Sequence, residues 1–300
     1  MTDAARLALI VNPQAGKGRA ARTGAVAESA LRDSGADVTV LVGATAAQTR
    51  ALAHRAVHNG PDGVVVVGGD GTLTGIIDVL ADAGCPLTLV PAGTGNDLAR
   101  ALGIRTDDGA GAALAALSGV PRRIDLGTVS SQGAVRTFLT VAALGFDAKV
   151  SERTNTLLRP SGRLRYYLAL IIELARLRPT AFRVCVDDGP VQVQPGTLLA
   201  VGNTASYGGG MPICVGAAPD DGLLDVVHVA PLGRIRLLRL FPLLLRGSHL
   251  TRPEVRHSRA TRVHVSAPDL VVYADGERVG AGECVIGIRP DAVTMMIPRE

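Results

Sequence analysis

An aspartate stands inside a glycine turn, directly after four consecutive valines at residues 64–67. The turn reads Gly-Gly-Asp-Gly-Thr over residues 68–72, and apolar residues at i, i+3, i+4 and i+7 from Leu73 predict a helix after it. A glycine turn between a buried strand and a helix suits phosphate, because its outward N–H groups are not blocked by a Cβ. A carboxylate beside phosphates repels them unless a cation lies between the two. Asp70 therefore predicts a phosphate site that also holds Mg²⁺.

Two further glycine-rich turns follow predicted strands. Residues 12–18 read Asn-Pro-Gln-Ala-Gly-Lys-Gly, and residues 91–97 read Pro-Ala-Gly-Thr-Gly-Asn-Asp. The first turn fits G-x-G-x-x-A from Gly16, but the second strand ends without the acid that binds ribose in dinucleotide folds. An ordinary β–α turn remains the alternative for the first, and an N-cap by Asn96 or Asp97 for the second.

Composition excludes several classes of protein. A chain of 300 residues exceeds what one hydrophobic core usually organises, so two domains are expected. Aromatic residues make up 3%, Trp is absent and the net charge is only +4, which argues against a nucleic-acid partner. The four cysteines lack metal-ligand spacing, and no run reaches the ~18 apolar residues of a membrane span. These features predict a cytoplasmic protein, soluble or peripheral to a membrane.

Strands and helices alternate up to about residue 126. The predicted strands are residues 7–11, 38–42, 64–67 and 87–90, and the predicted helices are residues 20–34, 46–58, 73–83, 97–102 and 111–118. This order predicts an α/β domain over residues 1–126, with a doubly wound parallel sheet and helices on both faces. Ligands of such sheets bind beyond the carboxyl ends of the strands, where all three glycine turns are expected.

Short β-type runs dominate the rest of the chain. Strands are predicted at residues 137–142, 182–186, 191–193, 197–202, 224–228, 262–266 and 270–273, with a hairpin turn at residues 187–190. Two helical insertions are predicted, near residues 157–178 and 233–246. The pattern indicates an antiparallel β-sandwich domain over residues 127–289, and residues 290–300 form a segment that can return to the first domain.

The motifs together resemble a known family. Gly-Gly-Asp-Gly-Thr, followed by Pro-x-Gly-Thr-Gly-Asn-Asp-Leu-Ala-Arg, resembles the diacylglycerol kinase catalytic domain, and most closely the bacterial soluble lipid kinases of that superfamily. The resemblance covers nearly the whole chain and includes the Asn-Pro-x-x-Gly start and the motifs at residues 123–127, 218–225 and 275–277. The first motif alone also occurs in NAD kinases, whereas the Gly-Thr-Gly-Asn-Asp loop favours a lipid kinase.

The resemblance implies that ATP is the phosphate donor and Mg²⁺ its cofactor. The residues it assigns to the ATP phosphates and adenosine are Asn12, Pro13, Gln14, Ala15, Gly16, Gly69, Asp70, Gly71, Thr72, Leu73, Thr74 and Gly75, with Thr94 nearby. It also implies an acidic network of Asp70, Asp97 and Asp125 around the catalytic Mg²⁺. Three converging carboxylates would repel one another strongly without a cation.

The resemblance implies a second, structural Mg²⁺ in the β domain. Asp221 and the backbone carbonyls of Ala218 and Leu223 would bind it, and a plain turn is the alternative for these residues. Relatives often have a Thr near the nucleotide at the end of the second strand. This chain has Gly43 there, with Thr45 close by, and neither is assigned to the site.

Phosphorylation of an alcohol needs a base near the hydroxyl group. The resemblance makes Glu277 that base, delivered by the second domain to a cleft that holds the nucleotide, while a hairpin turn or Asp275 as the base are the alternatives. The expected function is transfer of the ATP γ-phosphoryl group to a lipid hydroxyl, with diacylglycerol converted to phosphatidic acid. The alternatives are an NAD kinase and a non-catalytic nucleotide-binding regulator, which would leave Asp125 and Glu277 without a role.

A basic, apolar segment at residues 233–247 bears on access to the lipid. On a helix its Arg236, Arg239 and Arg246 fall on one side, and Pro242 is expected to kink or end a first segment. Such a helix can lie at an anionic membrane surface, and a core-packed helix with a solvated arginine edge is the alternative. The expected partner is a lipid at the inner face of the membrane. The oligomeric state stays open, with a homodimer as one alternative.

Overall fold

The computed structural model describes residues 4–159 and 163–299. The chain forms two compact units: unit 1 runs to Leu126 and resumes at Pro290, and unit 2 is Gly127–Arg289. Two strands, β5 and β16, contain the boundaries. The elements up to and including β5 are β1 (Arg6–Val11), α1 (Arg19–Asp33), β2 (Asp37–Val42), α2 (Ala46–His58), β3 (Gly63–Gly68), α3 (Asp70–Thr74), α4 (Ile77–Ala83), β4 (Leu87–Pro91), α5 (Asp97–Ala101), α6 (Gly109–Ser118) and β5 (Val120–Ser131).

The remaining elements are mostly strands. They are β6 (Ala134–Phe138), β7 (Val141–Gly145), α7 (Phe146–Thr156), α8 (Arg163–Ala175), β8 (Thr180–Val186), β9 (Gln192–Gly196), β10 (Leu198–Gly202), β11 (Leu224–Val229), α9 (Arg234–Leu245), β12 (Val255–Ala260), β13 (Arg262–Ser266), β14 (Val271–Ala274), β15 (Glu277–Ala281) and β16 (Cys284–Ile297). Short 3₁₀ turns lie at Ala15–Gly18 and His249–Thr251. No helix in the described ranges is long and apolar enough to span a membrane.

Unit 1 is built on a parallel sheet in the order β2-β1-β3-β4, to which the end of β16 adds in parallel, with Met295 opposite Leu87. The four valines of β3 are each at most 1% exposed, as expected of a strand covered on both faces. Helix α1 packs with α6, and α2 packs with α4. The predicted doubly wound α/β fold is confirmed.

The predicted helix over residues 73–83 is wrong, because two helices occupy this stretch. Helix α3 ends at Thr74 and α4 begins at Ile77, and between them Ile76 departs from helical geometry with φ −134°. The guanidinium of Arg50 donates to the carbonyl oxygen of Gly75 at 3.0 Å and to both carboxylate oxygens of Asp78. A contact from α2 thus stabilises the break, and the local apolar spacing contains no sign of it.

Unit 2 is a sandwich of antiparallel strands. One sheet has the order β12-β11-β10-β7-β14-β15. The other continues from the start of β16 in the order β16-β13-β8-β9, and the β5–β6 hairpin pairs with β16 through β5. The core between them contains Phe138 and Phe182, both fully buried, together with Leu144, Val201 and Val263. The predicted sandwich is confirmed, and so is the hairpin between β8 and β9.

Helices cover the outer face of the six-stranded sheet. Leu237 and Leu240 of α9 pack with Leu198 and Val227 of that sheet in a second core. Helix α9 continues through Pro242. The proline was expected to kink or end a first segment, and it does not end the helix. Proline has no N–H to donate to the carbonyl of Leu238, four residues earlier in the helix.

Candidate functional site

The three glycine turns follow β1, β3 and β4 at the carboxyl edge of the parallel sheet. Strand β1 has β2 on one side and β3 on the other, so the order of the strands reverses there. In open α/β sheets the crevice outside such a reversal is where ligands bind. The turns after β1 and β3 flank this point, and the turn after β4 is next to it.

The turn after β1 is tied to its neighbours by side-chain and backbone contacts. Asn12 Nδ2 donates to Thr72 Oγ1 at 3.1 Å, and the Asn12 backbone N–H donates to the carbonyl of Val67 at 3.2 Å. Gly16 has φ +58°, and a Cβ at this position would overlap the carbonyl oxygen of Ala92. Only glycine combines this left-handed backbone with so close an approach. These contacts fix the turn of residues 12–18 against the other two.

The turns after β3 and β4 approach each other through glycines. A Cβ on Gly69 would lie 2.7 Å from the Cα of Gly93, which is closer than real Cβ atoms come. Arg19 donates to the carbonyl oxygen of Gly93 at 2.6 Å. The Asn96 side chain accepts from the N–H of Gly93 and donates to its carbonyl, closing the turn. Asn96 occupies the N-cap position of α5 without a side-chain capping bond, so capping does not explain it.

Asp70 lies at the start of α3 and holds the start of α5. Its Oδ2 accepts the N–H of Asp97 at 3.0 Å, and its Oδ1 accepts the N–H of Leu98 at 3.1 Å. Burial raises the pKa of the Asp70 carboxyl above its ordinary value, although the backbone donors oppose this and Asp97 adds to it. A carboxylate that is partly removed from water and stands near a second carboxylate favours a cation beside it.

Asp97 and Asp125 are both buried, but they have different partners. Asp97 pairs with Arg100 at 2.6 Å, whereas Asp125 Oδ1 accepts the backbone N–H of Asp291 at 2.8 Å. Among residues 4–159 and 163–299, no three His, Cys, Asp or Glu side chains form a group that could hold a metal. The structure therefore brings Asp70 and Asp97 together, but within the described residues it does not gather the three predicted carboxylates into one metal-holding group.

The other residues predicted to contact ATP differ in what they can offer. Leu73 is fully buried, so it can contribute only through its backbone. Thr94 is exposed beside the buried Gly93. A Cβ on Gly71 would meet nothing within 4 Å, so this edge of the turn is open. Thr45 caps α2 by accepting the N–H of Gln48, which gives it a structural role.

Asp275 and Glu277 in unit 2 have separate environments. The Asp275 carboxylate accepts the N–H of Leu139 at 2.7 Å and both the N–H and hydroxyl of Thr140, at 3.1 Å and 2.5 Å. These bonds interrupt the predicted strand over residues 137–142, which is in fact the end of β6 and the start of β7. Glu277 begins β15 and is exposed. Asp275 thus has a structural role, and Glu277 is open to solvent.

Asp221, the carboxylate predicted to bind a structural Mg²⁺, is paired with an arginine in this structure. The guanidinium of Arg259 pairs with the Asp221 carboxylate and lies 3.7 Å from Asp225, and the N–H of Leu223 donates to Asp221 at 3.0 Å. His257 contacts the other oxygen of Asp225 at 2.5 Å. The guanidinium of Arg259 places a positive charge beside these two carboxylates, and within the described residues no group of three His, Cys, Asp or Glu side chains that could hold a metal is found here. The assignment of a structural Mg²⁺ to Asp221 and the backbone carbonyls of Ala218 and Leu223 stays a prediction.

Sequence reasoning missed two features of these sites. One is Arg19, which bridges the first and third turns and whose only signal is its place directly after Gly18. The other is Asp147, an acid that directly follows the buried strand β7 and Phe146, hydrogen-bonds to Tyr207 and has its pKa raised to about 6 by burial. Its signal was a single carboxylate after an unbroken apolar run.

Known proteins match both parts of the chain. Residues 6–129 match the family described as "Diacylglycerol kinase catalytic domain", and residues 140–297 match "YegS C-terminal NAD kinase beta sandwich-like domain". The "Diacylglycerol kinase" of Mycobacterium tuberculosis is 41% identical over 295 residues, which are 98% of this chain and 96% of that protein.

Solved structures show the same fold. A putative diacylglycerol kinase from Bacillus anthracis superposes with a TM-score of 0.78 at 23% identity, over 99% of this chain and 98% of that chain. An NAD kinase from Archaeoglobus fulgidus in complex with ATP superposes with a TM-score of 0.55 at 15% identity, over 98% and 94% of the two chains. Both likenesses are of the fold alone.

Proposed function

The chain belongs to the diacylglycerol kinase catalytic-domain family, as a phosphotransferase acting on an alcohol group, and we propose that it transfers the γ-phosphoryl group of ATP to the hydroxyl of diacylglycerol. The products are phosphatidic acid and ADP. The observation that most strongly supports this acceptor is the 41% identity, over almost the full length of both chains, to a protein named diacylglycerol kinase. Only the fold is shared with the NAD kinase, at 15% identity.

The donor is bound, in this proposal, by the three turns of unit 1. Residues 12–16 and 69–75 line the ATP phosphates and adenosine, and Thr94 adds a hydroxyl. The interlocking contacts of Asn12, Gly69 and Gly93 support this role, because they hold the turns in place before the ligand arrives. Such preorganisation stabilises charge that develops as the phosphoryl group moves.

Mg²⁺ accompanies ATP in this proposal, and Asp70 and Asp97 are the residues that would face it. Proteins hold Mg²⁺ through one or two carboxylates together with phosphate oxygens and water, so a cage of three carboxylates is not required. The raised pKa of Asp70 and the nearness of Asp97 support a cation here. Bound Mg²⁺ would neutralise charge on the phosphates.

Glu277 is the proposed base, on the evidence of the family resemblance and its exposed carboxylate. It accepts the proton of the lipid hydroxyl as that oxygen forms a bond to the γ-phosphorus. The bond from the γ-phosphorus to the oxygen of the leaving ADP breaks in the same transfer. Asp275 is unsuited to this task, because its carboxylate already accepts three hydrogen bonds from residues 139–140.

Helix α9 supports contact with a membrane surface at the cytoplasmic side, where ATP meets lipid. Ile235, Leu238 and Leu245 are each more than half exposed, Arg239 is exposed on the same helix, and Arg246 is exposed directly after the helix end. Arg236 is instead paired with Glu254, so its charge is partly neutralised within the protein. Charge reversal at Arg239 and Arg246 should therefore weaken activity on anionic vesicles more than on neutral micelles. An equal loss of activity on vesicles and on micelles would contradict this contact.

A transfer assay separates the proposed acceptors. Purified protein with γ-labelled ATP and Mg²⁺ is offered diacylglycerol, sphingosine, ceramide or NAD in parallel reactions. We expect label on diacylglycerol at the highest rate. Faster labelling of a sphingoid lipid would move the proposal to another lipid alcohol, and labelling of NAD would overturn it. ATP binding without any product would indicate a regulator that does not turn over.

A further inference from the structure

A single arginine of α2 spans the break between α3 and α4. Nη1 of Arg50 donates to the carbonyl oxygen of Gly75 at 3.0 Å and to Oδ1 of Asp78 at 2.7 Å, and Nη2 donates to Oδ2 of Asp78 at 2.6 Å. Gly75 directly follows α3, and Asp78 lies in the first turn of α4. One planar group therefore holds the end of one helix and the start of the next.

The direction of this contact is more closely defined than its strength. The side chains of Arg50 and Asp78 are 43% and 40% exposed, and ion pairs at such exposure add little to stability. A bidentate bond nevertheless restricts the orientation of both groups, because two parallel N–H donors must meet two carboxylate oxygens. The hydrogen bonds from Arg50 hold the pKa of the Asp78 carboxyl below its ordinary value, so the pair stays charged at neutral pH.

The backbone of Arg50 is fixed to the carboxyl edge of the parallel sheet. Its neighbour Thr49 is buried, and the Thr49 hydroxyl oxygen lies 3.2 Å from the carbonyl oxygen of Gly43, directly after β2. A Cβ on Gly43 would lie 2.7 Å from that hydroxyl, so the start of α2 is in close contact with the end of β2. The N–H of Gly43 in turn donates to the carbonyl of Val11, the last residue of β1, at 3.0 Å. Arg50 therefore reaches Gly75 from a position that is tied to the strand ends.

The segment of residues 69–75 is held at both of its ends. Asp70 fixes the start through its bonds to the first N–H groups of α5, and Arg50 fixes the end through the carbonyl of Gly75. Within the segment, the N–H of Gly75 donates to the carbonyl of Gly71 at 3.3 Å. A displacement of Gly75 therefore also displaces the glycine turn at the start of α3.

We infer that Arg50 is a positioning residue for the phosphate donor, and that it sets the orientation of the 69–75 segment through the carbonyl of Gly75. The inference rests on the proposed function, in which residues 69–75 line ATP. Contacts that ATP makes equally in the bound state and in the transition state affect KM more than kcat. A side chain that served stability alone would change neither constant in the folded enzyme.

Kinetics and calorimetry of Arg50→Gln test this role. We expect KM for ATP to rise about tenfold, as for the loss of one charge-assisted hydrogen bond, while kcat falls less than about threefold. The dissociation constant of ATP should rise by the same factor as KM, and KM for diacylglycerol should not change. An unchanged dissociation constant for ATP in folded Arg50→Gln, or a loss confined to kcat, would overturn the inference.

Arg32 of α1 provides a matched control. Its guanidinium also holds a carboxylate and a backbone carbonyl, with bonds of 3.0 Å to Glu28 and 2.7 Å to the carbonyl oxygen of Val38, near the amino end of β2. The Arg32 side chain is 48% exposed, close to the value for Arg50. Arg32→Gln should therefore lower the thermal midpoint as much as Arg50→Gln does, but leave KM for ATP within about twofold of wild type. A similar rise of KM in both variants would indicate a general effect of stability and overturn the inference.

Two further variants separate the carbonyl contact from the ion pair. Asp78→Asn removes the ion pair but leaves Arg50 its bond to Gly75, so we expect KM for ATP to rise less than about threefold. Arg50→Lys keeps the positive charge but not the planar fork that meets a carboxylate and a carbonyl together, and we expect an intermediate KM. An Asp78→Asn variant as impaired as Arg50→Gln would assign the effect to the ion pair and overturn the route through Gly75.

Failure of this inference can be distinguished from failure of the proposed function. Calorimetry needs no acceptor, so ATP binding that depends on Arg50, in a protein that transfers nothing to diacylglycerol, would support the positioning role and contradict the proposed function. Transfer to diacylglycerol with the same KM for ATP in wild type and in Arg50→Gln would support the proposed function and contradict the positioning role.

Discussion

The Oδ2 atom of Asp70 accepts the backbone N–H of Asp97 at 3.0 Å, and this bond ties the turn after β3 to the helix after β4. Oδ1 binds the next N–H, of Leu98, so both oxygens of one carboxylate position the same helix start. The acid that looked out of place among glycines therefore has a structural role in addition to the charge it carries.

Asp70→Asn removes the negative charge of the side chain and keeps nearly the same shape. The amide keeps one acceptor oxygen but turns an NH₂ group toward a backbone donor, which we expect to cost about 1–3 kcal/mol of unfolding free energy. Loss of the charge should lower the turnover number by about 100-fold or more. Calorimetry of ATP binding with and without Mg²⁺ measures the effect, with Asp107→Asn, a change at an exposed acid, as control. Wild-type Mg²⁺ dependence in Asp70→Asn would refute the assignment.

Gly16→Ala should destabilise unit 1 more than Gly18→Ala does. Both glycines have positive φ, but only at Gly16 does an added Cβ overlap another atom, the carbonyl oxygen of Ala92. We expect a loss of about 1–2 kcal/mol for Gly18→Ala from its backbone alone and about 3 kcal/mol or more for Gly16→Ala. Urea denaturation gives both values, and ATP affinity should fall only in Gly16→Ala. Equal losses of stability would show that the turns are not in close contact.

Glu277→Gln and Asp275→Asn should affect different properties. Glu277 is exposed, so its amide variant should keep its thermal midpoint and its ATP affinity while losing transfer by about 100-fold or more. Asp275→Asn leaves backbone donors of residues 139–140 without a full set of acceptors and should cost about 2–3 kcal/mol of stability. Thermal unfolding beside the transfer assay distinguishes them. Full turnover in Glu277→Gln would remove it as the base.

Asp147 should make stability fall as pH rises. Burial raises its pKa from 3.8 to about 6, so the folded state holds this proton more tightly than the unfolded state does. The contribution of this carboxyl to the free energy of unfolding is therefore fully present below about pH 4 and is lost as pH rises through 6. The loss is about 3 kcal/mol, at about 1.4 kcal/mol per pKa unit. Asp147→Asn removes the ionisation while its amide oxygen can still accept from Tyr207.

A comparison of the two proteins at two pH values provides the control for this effect. Denaturation at pH 4 and pH 8 should show Asp147→Asn gaining about 2–3 kcal/mol over the wild type at pH 8 and almost nothing at pH 4. A constant difference between the two proteins at both values would mean that the carboxyl does not titrate in this range.

Chelation should leave the fold of unit 2 intact. Arg259 neutralises Asp221 and Asp225, so EDTA is expected to shift the unfolding midpoint by less than about 1 °C. Arg259→Gln should cost about 2–4 kcal/mol, because it removes the guanidinium that lies beside the buried Asp225. A large fall of the midpoint in EDTA, restored by Mg²⁺, would demonstrate a structural metal after all.

Much of unit 1 could be predicted because its signals are local. Strands such as β3 are unbroken runs of β-branched residues, glycines follow them, and the alternation of elements then determines a doubly wound sheet. The break between α3 and α4 escaped prediction because Arg50, which stabilises it, lies on another helix. Strand β12 escaped for another reason: it lies at the edge of its sheet, and only Val255 and Ala260 are buried, so no apolar run marks it.

The site shows the same division between local and distant causes. The glycine turns and Asp70 could be recognised because backbone conformation and residue type specify what they do. The role of Asp275 could not, since it depends on residues 139–140, more than a hundred positions away. The bond from the backbone N–H of Asp291 to Asp125 likewise joins residues 166 positions apart, so no local pattern indicates it.

The pairing of Met295 with Leu87 has a consequence for how the protein is made. During translation, β1 to β4 leave the ribosome long before residues 290–297 are synthesised. One edge of β4 therefore stays unpaired until all of unit 2 has been made. An unpaired strand edge is a template for aggregation. The nascent chain should therefore depend on chaperones more than a protein whose sheet is completed in one continuous stretch.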